Sequence, residues 1–141
     1  MADETERSGL HHPQALNHSL QTPIHLTGNG TGRQLHSRVL QSPLAGVTDK
    51  IFRGLVRRWS RDSLLFTEMV NATSLELGHG YGKMDDLLSE DGPIAVQLFD
   101  HRPQAMADAA RRAEQAGAFL IDINMGCPVR KIARKGGCLL Y

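Results

Sequence analysis

Only two cysteines, Cys127 and Cys138, occur in 141 residues, with neither CxxC nor CxxH spacing. That excludes a disulfide framework and a structural zinc site, and two reduced thiols are expected. Aromatic residues are scarce at 5%, which puts the chain on the polar side of the globular range. No apolar run approaches the roughly 18 residues a membrane helix needs. The opening Met1-Ala2-Asp3-Glu4-Thr5-Glu6 is acidic and lacks the basic-then-apolar profile of a secretion signal. A cytoplasmic protein with no membrane partner is therefore expected. An excess of one charge is also missing, because 16 Lys+Arg against 15 Asp+Glu leave a net +1. Contact with a polyanion would then rest on local basic clusters rather than on the overall field. What is present, 40% hydrophobic and 22% charged residues over a length suited to one domain, describes an ordinary globular chain.

Residues 1–22 are dominated by His, Gln, Asn, Ser and Thr without sustained periodicity and are expected to form a disordered polar tail. His11, His12 and His18 lie in that tail without helix or strand spacing and read as solvated side chains, so no metal site is assigned. A domain is expected over 23–141. It opens with a short hairpin, where Ile24-His25-Leu26 alternates, Gly28-Asn29-Gly30-Thr31-Gly32 carries an Asn-Gly turn pair, and alternation resumes at Leu35. The glycine stretch lacks the Lys-Ser/Thr of a phosphate loop and reads as a turn.

From Val39 onward, short apolar runs alternate with helix-like stretches, the grammar of βα units. The runs are Val39-Leu40-Gln41-Ser42-Pro43, Leu64-Leu65-Phe66-Thr67-Glu68-Met69, Ile94-Ala95-Val96-Gln97-Leu98-Phe99 and Phe119-Leu120-Ile121-Asp122-Ile123-Asn124. Thr48 is expected to cap a helix whose Ile51, Phe52, Leu55, Val56 and Trp59 share a face. A second helix starts near Pro103, carries Met106, Ala109, Ala110 and Ala113 on one stripe, and stops at Gly117. Arg57, Arg58 and Arg61 read as helix-end cations.

Pro43, Glu68, Gln97 and Asn124 close these runs at separations of 25, 29 and 27 positions, one βα unit each time. Right-handed crossovers lay such strands in parallel, and side chains at their carboxyl ends converge on one site. Taken singly, each polar residue is an ordinary strand end; three in phase read as a constellation.

Four motifs, Ser42-Pro43-Leu44-Ala45-Gly46-Val47-Thr48-Asp49, Thr67-Glu68-Met69-Val70, Ala95-Val96-Gln97-Leu98-Phe99 and Asp122-Ile123-Asn124-Met125-Gly126-Cys127-Pro128-Val129, occur in this order. Together they closely resemble the tRNA-dihydrouridine synthase family over about residues 34–137. The resemblance implies a TIM-type (β/α)8 barrel, here its first half of about four βα units. It also implies bound FMN, NADPH as reductant, and reduction of the uracil C5–C6 double bond in tRNA. Pro43, Leu44 and Ala45 match the segment along the flavin, Gln97 the residue that hydrogen-bonds its ring, and Cys127 the catalytic acid. Asn124 and Glu68 match positions lining the substrate site. Leu44 stands where the family often has Met, a volume-conserving change.

The residue types fit that chemistry in their own right. Hydride delivered to uracil C6 leaves charge on C5 and the C4 carbonyl, and a proton must reach C5. An ordinary thiol is mostly protonated at neutral pH and suits that donation. A small buried hydrophobe is the other reading of Cys127; Gly126 and Pro128 beside it, in a stiff loop open to close approach, favour the acid. A uridine inside folded tRNA must be swung out to be reached. Arg130, Lys131, Arg134 and Lys135 at i,i+4 spacing suit the phosphates beside it, and a solvated basic surface is the alternative.

Two other functions fit the same residues: a flavin-barrel reductase of free pyrimidines, and a non-catalytic half-barrel fragment. A complete barrel takes about 250 residues, so a truncated one is expected, with exposed strand edges that favour self-association. Lys135-Gly136-Gly137-Cys138-Leu139-Leu140-Tyr141 departs from the family pattern, as a frameshift or early stop would produce. Late barrel loops usually grip the cofactor phosphate. The isolated chain should accordingly bind FMN weakly or not at all, and stoichiometric flavin absorbance after purification would refute this.

Overall fold

A computed structural model describes residues 22–27, 32–79, 84 and 87–130. The expectations for the polar tail, the Asn29-Gly30 turn, Lys131, Arg134, Lys135 and Cys138 lie outside the described residues. Contacts divide the chain into two compact units, Met1–Arg38 and Val39–Tyr141. In the first, β1 (Ile24–Leu26) pairs antiparallel with β2 (Arg33–Leu35), Ile24 opposite Leu35 and Leu26 opposite Arg33. This is the expected hairpin. The expected 23–141 domain spans both units.

The second unit is built on β5 (Ile94–Phe99), the one run found as a strand over its full expected length. Five of its six residues are buried, as befits a strand covered on both faces. One edge pairs in parallel with β3 (Leu65–Phe66) and then β4 (Val70–Asn71), and the other with β6 (Leu120–Ile123). Leu40 adds a parallel bridge to Leu64. The four expected runs thus lie side by side in chain order, although the first contributes a bridge rather than a strand.

The second run is not one strand. Leu65 faces Ile94 and Val70 faces Leu98, so this run takes five steps where β5 takes four. The extra residue breaks the ladder into two, as a bulge does. Within the break Thr67 donates its N–H to the Ala95 carbonyl, 2.9 Å, while its hydroxyl accepts the Gln97 N–H, 3.2 Å. Glu68 and Met69 are left outside regular pairing.

Alternation along β5 sorts its side chains. Ile94, Val96 and Leu98 join Val70, Leu75 and the Ala105, Ala109, Ala113 stripe of α3 (Pro103–Gln115) in the apolar core. Alanines on that stripe let helix and sheet approach closely. The helix begins with Pro103 in its first turn and ends as expected at Gly117, whose φ of 92° lets Ala118 N–H reach back to the Ala113 carbonyl, 2.9 Å.

The other helices depart from expectation. After β4 comes only a five-residue helix, α2 (Ala72–Glu76), with Asn71 as its cap. In α1 (Lys50–Trp59) the cap is Asp49, which accepts the Phe52 N–H at 2.8 Å, not Thr48. Much of its apolar face lies outside: Ile51, Leu55 and Trp59 are 82, 54 and 87% exposed. Arg53 is the buried residue of α1, paired with Glu90 and donating to the Thr48 carbonyl at 2.7 Å. Arg57 is more than a helix-end cation, because its guanidinium donates to the carbonyls of Arg61, Ser63 and Pro93 at 2.7–3.0 Å. Gly92 is required beside it, since its φ is +75° and a Cβ there would lie 2.8 Å from both the Arg57 guanidinium carbon and the Arg61 carbonyl.

Asp100, just past β5 and 2% exposed, ties the helices to the sheet. Its carboxylate accepts from the N–H and hydroxyl of Thr73 and from the N–H groups of His101 and Arg102. Burial pushes this carboxyl up, and those hydrogen bonds outweigh it, so its pKa falls below the usual aspartate value. With the folded-state value below the unfolded one, the ionised group favours folding above about pH 4, and that contribution drains away as pH drops further. Asp100→Asn should therefore be less stable than the natural chain at neutral pH, with the gap narrowing below about pH 4 in denaturant titrations. A gap independent of pH would contradict this.

Candidate active site

The face of the sheet away from the apolar core is polar at its carboxyl end. Parallel register sets Gln97 of β5 beside Asp122 of β6, and the Asn124 N–H continues the ladder to the Leu98 carbonyl at 2.9 Å. Asp122 and Asn124, two apart on an extended chain, point the same way. Gln97 is 9% exposed, and both ends of its carboxamide are bonded. Its Nε2 donates to Asp122 Oδ2 at 2.6 Å, and its Oε1 accepts from Asn124 Nδ2 at 3.3 Å. Asn124 Nδ2 also lies 3.9 Å from the Met69 sulfur, and Asn124 Oδ1 accepts the Gly126 N–H at 3.1 Å. The residue after Gly126 is Cys127, 8% exposed and not in a disulfide.

A second set of bonds shapes the loop after the first run. The Leu44 N–H and carbonyl both bond the Thr48 hydroxyl, each at 3.1 Å. Thr48 is fully buried there, and locking this turn is what it does in place of capping α1. Gly46, with φ of 75°, turns the chain so that its N–H meets Glu68 Oε1 at 2.5 Å. Glu68 and Met69 both come from the bulged segment, so the extra residue in that strand links the 43–47 turn to the Asn124 side of the site.

Among the sequence-predicted residues, Gln97 and Asn124 meet directly. Cys127 joins them through Gly126, and Glu68 joins Pro43, Leu44 and Ala45 through Gly46. Pro43 is half-buried, whereas Leu44, Ala45 and Arg130 are exposed. Three residues of the network were given no part in the site from the sequence: Asp122, Met69 and Thr48, the last expected only as a helix cap. Asp122 carried a legible signal, a carboxylate on an otherwise apolar strand at an even spacing from Asn124; Met69 carried none. Among the described residues there is no group of three His, Cys, Asp or Glu able to hold a metal ion, and no helix long and apolar enough to cross a membrane.

The sequence model of the family described as dihydrouridine synthase (Dus) matches residues 40–141. The chain belongs to the dihydrouridine synthase family. It is 53% identical over 103 residues to a probable tRNA-dihydrouridine synthase 1 of Synechocystis, covering 73% of this chain and 29% of that protein. It is 39% identical over 110 residues to tRNA-dihydrouridine synthase B of Pseudomonas aeruginosa, covering 75% of this chain and 32% of that one. The Escherichia coli protein of the same name is 37% identical over 110 residues, with 76% and 34% covered. This member of the family spans about a third of the length of the curated relatives it matches. The matched stretch contains every residue of the network just described.

Removing the Glu68 carboxylate leaves the Gly46 N–H without that partner, and one such bond has a net worth of about 1 kcal/mol. Glu68→Ala should therefore speed hydrogen exchange at the Gly46 amide roughly fivefold while the β5 amides keep their protection. Unchanged exchange at Gly46 would show that Glu68 does not hold the turn.

Proposed function

We propose that this chain supplies the first part of an FMN-binding (β/α)8 barrel in a tRNA-dihydrouridine synthase, which reduces the C5–C6 double bond of a uridine in tRNA. The observation that carries this reading is the direct Gln97–Asn124 contact at neighbouring parallel strand ends, with the Cys127 loop tied to Asn124 through Gly126. The donor set suits a flat heterocycle with a mixed hydrogen-bonding edge. Gln97, anchored by Asp122, keeps a second N–H and an oxygen lone pair to offer. The exposed Leu44 side chain offers an apolar surface for the ring.

When bound, FMN with NADPH as reductant would supply hydride chemistry toward uracil C6. Gln97 would hold the edge of the flavin ring, and residues 43–45 would line it. Asn124 and Glu68 line the uracil side, where Asn124 reads the edge of a base swung out of the tRNA stack. Cys127 transfers its Sγ proton to C5 as negative charge develops on that carbon, leaving a thiolate to be reprotonated from solvent. Arg130 and Lys131 lie just past the loop in sequence and are assigned to the phosphates flanking the extruded nucleotide. A cytoplasmic place of action goes with this reading.

The test grafts residues 40–130 of this chain into the Synechocystis relative in place of its matching segment. With FMN, NADPH and tRNA lacking dihydrouridine, the graft should form dihydrouridine detectable by mass spectrometry. Cys127→Ala in the graft should lower turnover by about 100-fold or more, as loss of a general acid does, without releasing flavin. A graft that reduces free uracil but not tRNA, or whose rate is indifferent to Cys127→Ala, would overturn the assignment.

A further inference from the structure

The hydrogen bonds around Gln97 all run one way. An ionised carboxylate only accepts, so Asp122 Oδ2 at 2.6 Å compels Gln97 to present its NH2 group on that side. The Gln97 oxygen is thereby turned to the opposite side, where it accepts from Asn124 at 3.3 Å. Asn124 must in turn present its own oxygen elsewhere, and that oxygen accepts the Gly126 N–H at 3.1 Å. A carboxamide turned end for end would set NH2 against NH2 or oxygen against oxygen within this row. One acid thus decides the sense of two amides and reaches the N–H of Gly126, the residue before Cys127.

We infer that Asp122 is a positioning residue that orients the carboxamides of Gln97 and Asn124 and, through them, anchors the Cys127 loop. The inference rests on the proposed function only in assigning these amides and this thiol to one reaction site. The relay itself is a property of the chain without ligand. It explains a carboxylate on a strand face that otherwise needs no charge, because a neutral Asn at this position could pair with Gln97 in either sense and would leave both amides unspecified. The charge-assisted first bond is the strongest of the row and directs the others. Met69 supplies only a weak sulfur contact, 3.9 Å from the same Asn124 Nδ2, and does not by itself set the sense of that amide.

Two readouts on the purified chain without flavin or tRNA test this: the side-chain amide NMR signals of Gln97 and Asn124, and the alkylation rate of Cys127 followed by peptide mass mapping. In Asp122→Ala, the Asn124 amide signals should move although Asn124 is two residues from the change and bonded to Gln97 instead. Cys127 alkylation should rise about fivefold, the factor expected for losing one ordinary net hydrogen bond. Gln97→Met should produce the same rise, and Asp122→Ala with Gln97→Met together should give no more than either alone, since both cut one relay. Asp122→Asn, isosteric and able to accept in only one of its two orientations, should move the Asn124 signals in the same direction by less. The backbone amide spectrum reports folding. If Asp122→Ala unfolds the chain, the Asp122→Asn and Gln97→Met results decide. Additive effects, or Asn124 signals and Cys127 reactivity unaltered in a folded Asp122 variant, would overturn the inference. Because no flavin is present, such a failure is distinct from failure of the grafted enzyme to make dihydrouridine.

Discussion

The parallel register between β5 and β6 is the constraint from which the rest of the site follows. Pairing Gln97 with Asp122 and extending the ladder to Asn124 brings a carboxylate and two carboxamides onto one face. A slip of β6 by one residue would turn Asp122 and Asn124 toward the apolar layer and Ile121 and Ile123 toward Gln97. The register is held from the other face, where Ile94, Val96 and Leu98 interlock with Val70, Leu75 and the alanine stripe of α3. Polar placement is in this way a by-product of apolar packing.

Local irregularities carry what the ladder does not. The extra residue between β3 and β4 lifts Glu68 and Met69 out of regular pairing, so that one reaches the Gly46 N–H and the other the Asn124 amide. Thr67 repairs the break with its hydroxyl, standing in for a ladder carbonyl toward Gln97. Asp100 performs a related task past the end of β5, where one buried carboxylate satisfies backbone donors at the starts of both α2 and α3. Among these groups Asp100 is the one whose full burial is sustained by several donors.

α1 shows that a helical period read correctly does not say which face of the helix is covered. Ile51, Leu55 and Trp59 do share a face, as their spacing demands, yet that face is exposed and the charged Arg53 is the buried member. Arg53 and Arg57 are accommodated because each finds fixed acceptors, Glu90 and the Thr48 carbonyl for one, a cluster of backbone carbonyls for the other. Around them, Lys50, Arg58, Arg61, Asp62, Asp91 and Gly92 complete a charged groove of about 830 Å³ that shares no residue with the candidate active site. The pattern of apolar residues tells which residues lie together on a helix; it does not tell which side of that helix another element will cover.

Period and punctuation determined much in advance. The run of β5, the start of α3 at Pro103 and its stop at Gly117, the small hairpin, and the grouping of Gln97 with Asn124 were all legible, because each follows from local backbone preference or from strand spacing read over a few residues. The break in the second strand, the shift of the α1 cap from Thr48 to Asp49, the binding of Glu68 to Gly46, and the role of Asp122 were decided only in three dimensions. The contacts of Glu68 and Asp122 depend on which donor meets which acceptor across elements 20 or more residues apart, and the cap on which of two adjacent side chains the preceding turn engages; a sequence records the presence of such groups but not their relative orientation. Local chemistry therefore specified the strands and the residue types of the site, while the packing of β5 between its neighbours decided the direction in which those residues hydrogen-bond.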